Sequence, residues 1–348
     1  MVSMTAKSGR NTEVQTDSPP SCPVCGGHET LPYRQVFDDR FGHPDLFELV
    51  KCSDCGHLMT RPALCESDLA HLYGTYYPRK NITSEQVSAQ AATVRRAFSG
   101  VRRWLMGVDN QGQYSARPGE KMLDVGCGSG LSLLEAKAMG VEAWGIEADP
   151  NAQRFAQQLG LRIHQGGLQD APFADTSFDL VVLNQVIEHI PEPDQALHTA
   201  RQRLAPNGRV ILIFPNVNSL WCRLSGLRWI NWHIPYHQHH FTLAGFTQMA
   251  QRCGFRVVRS RTITPNGWTL LQILANRQSI VRGEVNPMWQ VKAPSQATQS
   301  GAPASLIPWK KLVRIPVMVL VGVANRLIDS LGYGDSLLVE LRSKNRDK

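Results

Sequence analysis

The chain has 348 residues, 42% of them hydrophobic and 19% charged, with a formal net charge of +8 and a sequence pI of about 9.2. That length accommodates one large domain and a smaller one, and the composition is ordinary for a globular protein whose positive charge suits acidic partners as well as solubility. No basic segment followed by an apolar core opens the sequence and no run of 18 apolar residues occurs, so neither a secretory leader nor an ordinary membrane-spanning helix is expected.

Residues 1–20 are polar, rich in Ser and Thr, and end in Pro19-Pro20, which predicts a disordered tail. Next come Cys22-Pro23-Val24-Cys25-Gly26 and Cys52-Ser53-Asp54-Cys55-Gly56. Four thiolates in two CxxC pairs are what a closed tetrahedral zinc site needs, so Cys22, Cys25, Cys52 and Cys55 are expected to hold one structural zinc. Glycine after each second cysteine lets the turn fold back so that N–H groups reach the sulfurs. Strand-like pieces between the pairs (Leu31 to Phe37, Leu46 to Val50) complete a zinc ribbon over residues 21–62. His28, His57 and Cys65 are not needed for it and read as incidental. Eight cysteines, four of them in such pairs, fit a reducing cytoplasm better than a disulfide framework. Between 21 and 60 Arg34, Arg40 and Lys51 face Glu29, Asp38, Asp39, Asp45, Glu48 and Asp54, so the ribbon is a poor phosphate clamp and nucleic acid is not the expected partner.

Residues 63–115 read as a helical linker. Tyr73, Tyr76 and Tyr77 either line an acceptor pocket or fill the ribbon interface. Val87, Ala91, Val94, Phe98, Val101 and Leu105 form one apolar stripe at alternating spacings of four and three, and Thr83 with Gln86 has capping-box spacing. Arg95, Arg96, Arg102 and Arg103 lie off the stripe, as a solvated face.

From 116 to 264 strands and helices alternate, which predicts an α/β, doubly wound, mainly parallel sheet with its ligand across the carboxyl ends of the strands. Strands are expected near 121–125, 143–147, 161–164, 178–184, 209–214 and 255–262, and helices near 130–139, 151–159, 194–204 and 243–253. The first strand runs into Gly126-Cys127-Gly128-Ser129-Gly130, a turn whose missing Cβ atoms let a ligand approach the backbone at a helix N-terminus. The second ends on Glu147, where a ribose-binding carboxylate is expected. The turn reads G-x-G-x-G; a dinucleotide fingerprint would need glycine where Leu131 stands.

That turn, Gly166 to Phe173, Ser177 to Asn184, Glu188-His189-Ile190-Pro191 and Leu204 to Gly208 together resemble the class I S-adenosylmethionine-dependent methyltransferases, over roughly residues 118–262. The resemblance implies S-adenosylmethionine as cofactor. It implies that Asp124 helps fix the methionine end with Asn184 and Gln185 near it, and that Gly126, Cys127, Gly128 and Gly130 pass beneath. It further implies that Glu147, followed by Ala148, takes the ribose hydroxyls. Gly167 stands where the family commonly has Asp, so adenine contact passes to Leu168, Gln169 and backbone.

After Phe214 comes an aromatic, histidine-rich run with Trp229, Tyr236, His237, His239 and His240. It resembles methyltransferases acting on sugars and other small metabolites, many of which also carry a four-cysteine ribbon. Trp229, Tyr236, His239 and His240 are expected against the acceptor. His237 is the first candidate for a general base and His189 the second, since imidazole titrates near working pH. A metal on the histidines is set aside because no carboxylate accompanies them in the run. The N/D-P-P-Y/F signature of methyltransferases acting on planar amino groups is missing at Asn184-Gln185-Val186-Ile187. The expected function is methyl transfer to a small-molecule hydroxyl, a sugar or lipid-linked sugar; RNA base methylation and a non-catalytic binding protein are the alternatives.

Residues 265–333 read as a helical insertion or lid, and 334–348 as a closing antiparallel strand with a basic tail. Within 309–331 a helix is expected to begin near Pro316, with Arg326 and Asp329 making it amphipathic and Trp309, Lys310, Lys311 and Arg314 at one end. It either packs as core or lid or attaches peripherally to an anionic membrane, at the inner face if the protein is cytoplasmic.

Overall fold

Two sheets organise the computed structural model, which describes residues 21–77, 83–92, 99–108, 111–150, 152–173, 176–290 and 309–344. The expected tail 1–20, the stripe positions Val94 and Phe98 with Arg95 and Arg96, and most of the connector after 290 lie outside the described residues, as do the side chains of 309–315. The first sheet starts as an antiparallel meander of β1 (Thr30–Phe37), β2 (Leu46–Cys52) and β3 (Leu58–Arg61). Three short helices follow: α1 (Glu66–Thr75), α2 (Ser84–Ala91) and α3 (Ser99–Met106). Thr83 and Gln86 close the capping box at α2, each side chain accepting from the other's backbone N–H. The single apolar stripe does not hold. Val87 and Ala91 are buried, but Val101 is 65% exposed, because α2 packs against the sheet-covering helices whereas α3 packs on a helix near the C-terminal end.

The alternating elements then build the second sheet: β4 (Lys121–Val125), α4 (Leu131–Ala138), β5 (Glu142–Glu147), α5 (Ala152–Leu159), β6 (Arg162–Gln165), β7 (Phe178–Asn184), α6 (Pro193–Gln202) and β8 (Leu204–Pro215). Then come α7 (Leu220–Ser225), β9 (His239–His240), α8 (Leu243–Arg252), β10 (Phe255–Ile263), α9 (Asn266–Ala275), α10 (Trp309–Ser330) and β11 (Ser336–Ser343). The sheet has seven strands in the order β10-β11-β8-β7-β4-β5-β6, parallel from β8 to β6, with β11 antiparallel to both its neighbours. Leu180 to Leu183 and Val210 to Phe214 are buried without alternation, as strands covered on both faces must be. This is the mixed α/β, mainly parallel architecture the alternation predicts, closed by an antiparallel last strand. The chain leaves β4 toward β5 on one side and meets β7 on the other, so a crevice opens at the carboxyl ends of these strands.

β9 joins not this sheet but the small one, pairing with β3 through Leu58↔His240 and Met59↔His239. The ribbon also shares its interior with the large sheet: Cys22, Val24, Val50, Cys52 and Met59 belong to the same buried cluster as Val210, Phe241 and Phe246.

α10 begins at Trp309, before Pro316 rather than at it, and carries that proline inside. Asn325, Arg326 and Asp329 face inward rather than forming a polar outer face. Arg326 pairs with Asp329 at 2.6 Å, their side chains 9% and 7% exposed, and donates to the carbonyls of Trp104 and Thr264, each at 2.6 Å. Among the described residues no helix is long and apolar enough to cross a membrane.

Candidate active site

The turn after β4 places Gly126, Gly128 and Gly130 at φ of +73°, +55° and +79°, the left-handed region that favours glycine. A Cβ on Gly126 would stand 2.5 Å from Val186, and one on Gly130 would run into Leu161. One on Gly128 would meet nothing within 4 Å. The outer two glycines are therefore demanded by packing, while the middle one opens the backbone to a ligand. Cys127 is buried and fills the space over Gly145, where a Cβ would lie 2.5 Å from its sulfur.

Around this cradle stand polar groups with spare capacity. Glu147, at the end of β5, accepts from Gly128 N at 2.7 Å and from Asp149 N at 3.0 Å, and Ala148 beside it is exposed. Asp124 is buried; one oxygen accepts from the Ser132 hydroxyl and the other has no partner among the described residues. Burial, with the charge of Glu147 added, pushes its carboxyl up to about 7. At the end of β7, Asn184 is half-buried and Gln185 takes φ +58°, with its side-chain amide nitrogen buried and unpartnered among the described residues. Leu168 is buried in the core, so its side chain belongs to packing, whereas Gln169 stands exposed.

The loop after β7 lies over the glycine turn through Val186 and continues into a buried polar cluster. Glu188 and His189 come from that loop, His233, Tyr236 and His237 from the run after β8, and Tyr73 from α1. His237 donates from Nδ1 to the Asn231 carbonyl at 2.9 Å, which leaves Nε2 facing Glu188 Oε1 at 4.0 Å and His233 Nδ1 at 3.4 Å. His189 Nδ1 lies 3.0 Å from both the Tyr236 carbonyl and the Tyr73 hydroxyl, and its ring meets that of His237 edge-on at 4.5 Å. Burial sets the protonation states. It drives His237 well below the ordinary imidazole value, His189 down to about 4, and Glu188 up to about 8. Burial raises the Tyr73 hydroxyl above the ordinary phenol range, and its ring packs against those of Tyr77 and Tyr236 at the edge of the cluster. Sequence reading missed Glu188. The expectation that no carboxylate accompanies the histidines is overturned, since Glu188, His189 and His237 each offer a donor atom within 4.8 Å of the others.

The other residues expected against an acceptor are engaged elsewhere. Trp229 is fully buried and its indole N–H donates to Asp335 at 2.9 Å, which makes it a core residue. His240 contacts the Thr60 hydroxyl at 3.0 Å, while His239 reaches the Pro191 carbonyl at 3.0 Å and His57 at 3.3 Å. They join the ribbon to the large sheet, and His57 is a partner in that joint rather than incidental. Tyr236 is fully buried and edge-on to Phe41 and Tyr77, and its phenol oxygen has no partner among the described residues.

The four ribbon cysteines converge. Sγ atoms of Cys22 and Cys55 lie 3.6 Å apart, those of Cys25 and Cys52 3.5 Å, and all four within 4.8 Å of one another. A tetrahedral zinc with Zn–S bonds of about 2.3 Å separates its sulfurs by roughly 3.8 Å, so the group fits. Gly26 and Gly56 take φ of +83° and +74°, and Gly27 N donates to Cys25 Sγ at 3.4 Å.

Residues 95–260, which carry the glycine turn, Glu147 and the Glu188 cluster, match a family described as a methyltransferase domain. This segment is similar to a methyltransferase domain. Over a stretch of 113 residues the chain is 35% identical to an uncharacterized 37.1 kDa protein of a Streptomyces fradiae transposon, covering 30% of this chain and 33% of that one. It is 30% identical over 132 residues to a ubiquinone biosynthesis O-methyltransferase of Cereibacter sphaeroides, covering 36% and 53%. The chain thus spans between a third and about half of the length of these relatives. Among solved structures, a Haloferax volcanii complex of the Trm112 methyltransferase activator with its methyltransferase aligns at a TM-score of 0.44 and 16% identity, covering 75% of this chain and 98% of that one.

Two outcomes follow from the geometry of the domain. The folded protein keeps the Glu188 proton from about pH 4.5 up to about 8, while the unfolded chain releases it near pH 4.5, so this group's contribution to stability falls as pH rises through that window. Glu188→Gln removes the dependence, and its stability relative to wild type should rise between pH 5 and 8 by up to several kcal/mol in denaturant melts. A variant that instead loses stability, together with chelator-sensitive wild type, would assign the cluster to a bound cation. Trp229→Phe leaves Asp335 with one partner fewer and should cost about 1–3 kcal/mol without changing acceptor KM; a raised KM at unchanged stability would return Trp229 to the acceptor site.

Proposed function

We propose that the chain transfers the methyl group of S-adenosylmethionine to a hydroxyl of a small acceptor, a sugar or lipid-linked sugar. The observation that carries the reading is the open face of Gly128, bonded to the Glu147 carboxylate at 2.7 Å, with the Glu188–His189–His237 cluster built on the loop whose Val186 packs over the turn. The donor brings an activated methyl on a sulfonium. The protein therefore has to hold two reactants in line and receive one proton.

Glu147 offers two oxygens to a pair of ribose hydroxyls. The free oxygen of Asp124 and the unpartnered amide of Gln185 suit an ammonium and a carboxylate, the two ends of the methionyl group. Asn184 lies at the same strand end, and Gln169 is free to flank the base. The Asn231 carbonyl holds the proton of His237 on Nδ1, leaving Nε2 as the acceptor for a hydroxyl proton. A proton arriving there would be resisted by burial, and ionisation of Glu188 at 4.0 Å would offset that cost. The O-methyltransferase among the relatives supports a hydroxyl acceptor, and the acidic ribbon counts against a nucleic acid. The ribbon's cysteines are assigned one structural zinc.

Glu147→Ala should weaken S-adenosylmethionine binding by about 1.5–3 kcal/mol in calorimetry; unchanged affinity would contradict the cofactor assignment. His237→Ala should lower turnover of a sugar-hydroxyl acceptor at least about a hundredfold, with cofactor affinity kept. Full turnover would remove the base from this residue. Metal analysis of purified protein should give about one zinc per chain, and less than roughly a tenth, with four ribbon thiols titrating, would sink that assignment.

A further inference from the structure

The outward face of α10 inverts the usual order of a surface helix. Three of its polar residues point into the protein: Asn325 is buried and bonded to Asn266 and Thr269, and Arg326 and Asp329 are paired against the carbonyls of Trp104 and Thr264. What faces outward is Val317, Val319, Leu320, Val323, Ala324, Leu327 and Leu331, with Leu320 and Leu331 71% exposed and Leu327 63%. From Pro316 to Tyr333 no exposed residue carries a charge. α3, packed against α10, adds Val101 and Trp104 to the exposed apolar set. A soluble helix normally shows the reverse pattern, and an apolar face this continuous marks an interaction surface.

The charges on the elements packed against α10 select the partner. α10 packs on α3, α9 and β10. α3 contributes Arg102 and Arg103, β10 contributes Arg256, Arg259 and Arg261, α9 contributes no charge, and the part of α10 with described side chains carries Arg326. Against these stands one acid in the four elements, Asp329, held in its pair with Arg326. Arg102, Arg256 and Arg259 are exposed, and Arg103 lies over the Tyr114 ring. A second copy of the chain packed symmetrically on this face would bring two basic borders together. A surface that is apolar within and anionic at its rim complements both features at once.

We propose that the α3–α10 face docks on an anionic lipid surface, with the leucines and valines of α10 entering the headgroup boundary and the arginines of α3 and β10 meeting lipid phosphates. The inference is independent of the proposed reaction.

The test is co-flotation of the full chain with vesicles of phosphatidylglycerol and phosphatidylcholine at low salt. Binding is expected to these vesicles, to fall at least about tenfold in pure phosphatidylcholine, and to weaken steeply as salt is raised, because surface charges are screened within about 10 Å at 0.1 M. Leu320→Glu with Leu327→Glu, both at exposed positions, should abolish flotation without lowering the melting temperature. Arg102→Gln with Arg256→Gln and Arg259→Gln should reduce it while leaving the apolar face intact. No flotation of the wild-type chain, or flotation that both sets of variants leave unchanged, overturns the proposal. So does a mass of two chains in light scattering that falls to one in the leucine variant without any flotation, which would give the face to a second copy.

Discussion

The pairing of β9 with β3 is the constraint on which the candidate site depends. Two histidines from the run after β8 become the fourth strand of the ribbon sheet, and the same run is bonded on its other side, where Gln238 N and His239 N donate to the Glu188 carbonyl at 2.8 and 3.1 Å. The run is thereby clamped between ribbon and sheet. That clamp brings His237 beside Glu188, although 49 positions separate them in sequence. The ribbon is thus less a recognition module than a wall of the active site, consistent with its acidic charge and with the buried cluster it shares with the large sheet.

The price of that enclosure is desolvation. His57, His233, His237, His239 and His240 are buried and His189 is half-buried, and loss of solvent lowers the affinity of each for a proton. His239 falls to about 4 and His240 to about 3. Imidazoles held neutral are good acceptors and carbonyl-bound donors, and the structure uses them as such in the joint between the sheets. At the Glu188 cluster the same physics works on a carboxyl in the opposite direction. One proton on Glu188 leaves the whole group uncharged near neutral pH, which is the arrangement a dry site tolerates.

The large sheet was legible in the sequence because its determinants are local. β4 and β7 occupy the expected residues, and Gly126, Gly128 and Gly130 each take the backbone conformation that glycine alone adopts cheaply. The helix-capping pair Thr83–Gln86 was readable for the same reason. What escaped depends on partners remote in the chain. α9 carries Asn266, Thr269 and Gln272 at spacings of three, and this polar stripe is the face it buries, the reverse of what periodicity leads one to expect. Trp229 is indistinguishable in sequence from a pocket aromatic until Asp335 is found beneath its indole nitrogen. Arg326 and Asp329 looked like an exposed pair at a spacing of three, and only the carbonyls of Trp104 and Thr264 explain their turning inward. Glu188 hid in a Glu-His dipeptide whose meaning is set by His237.

The position of β11 has a consequence for how the protein assembles. β10 reaches the sheet only through β11, which lies between it and β8, and the residues from Thr264 to Asp335 must be traversed before that strand is supplied. Closing so long a connection costs entropy before any ladder bond is returned, and pairings this distant in sequence form late. The parallel strands from β8 to β6 can collapse around their own helices first. The β8–β11–β10 end then zips in a separate step, carrying α9 and α10 with it.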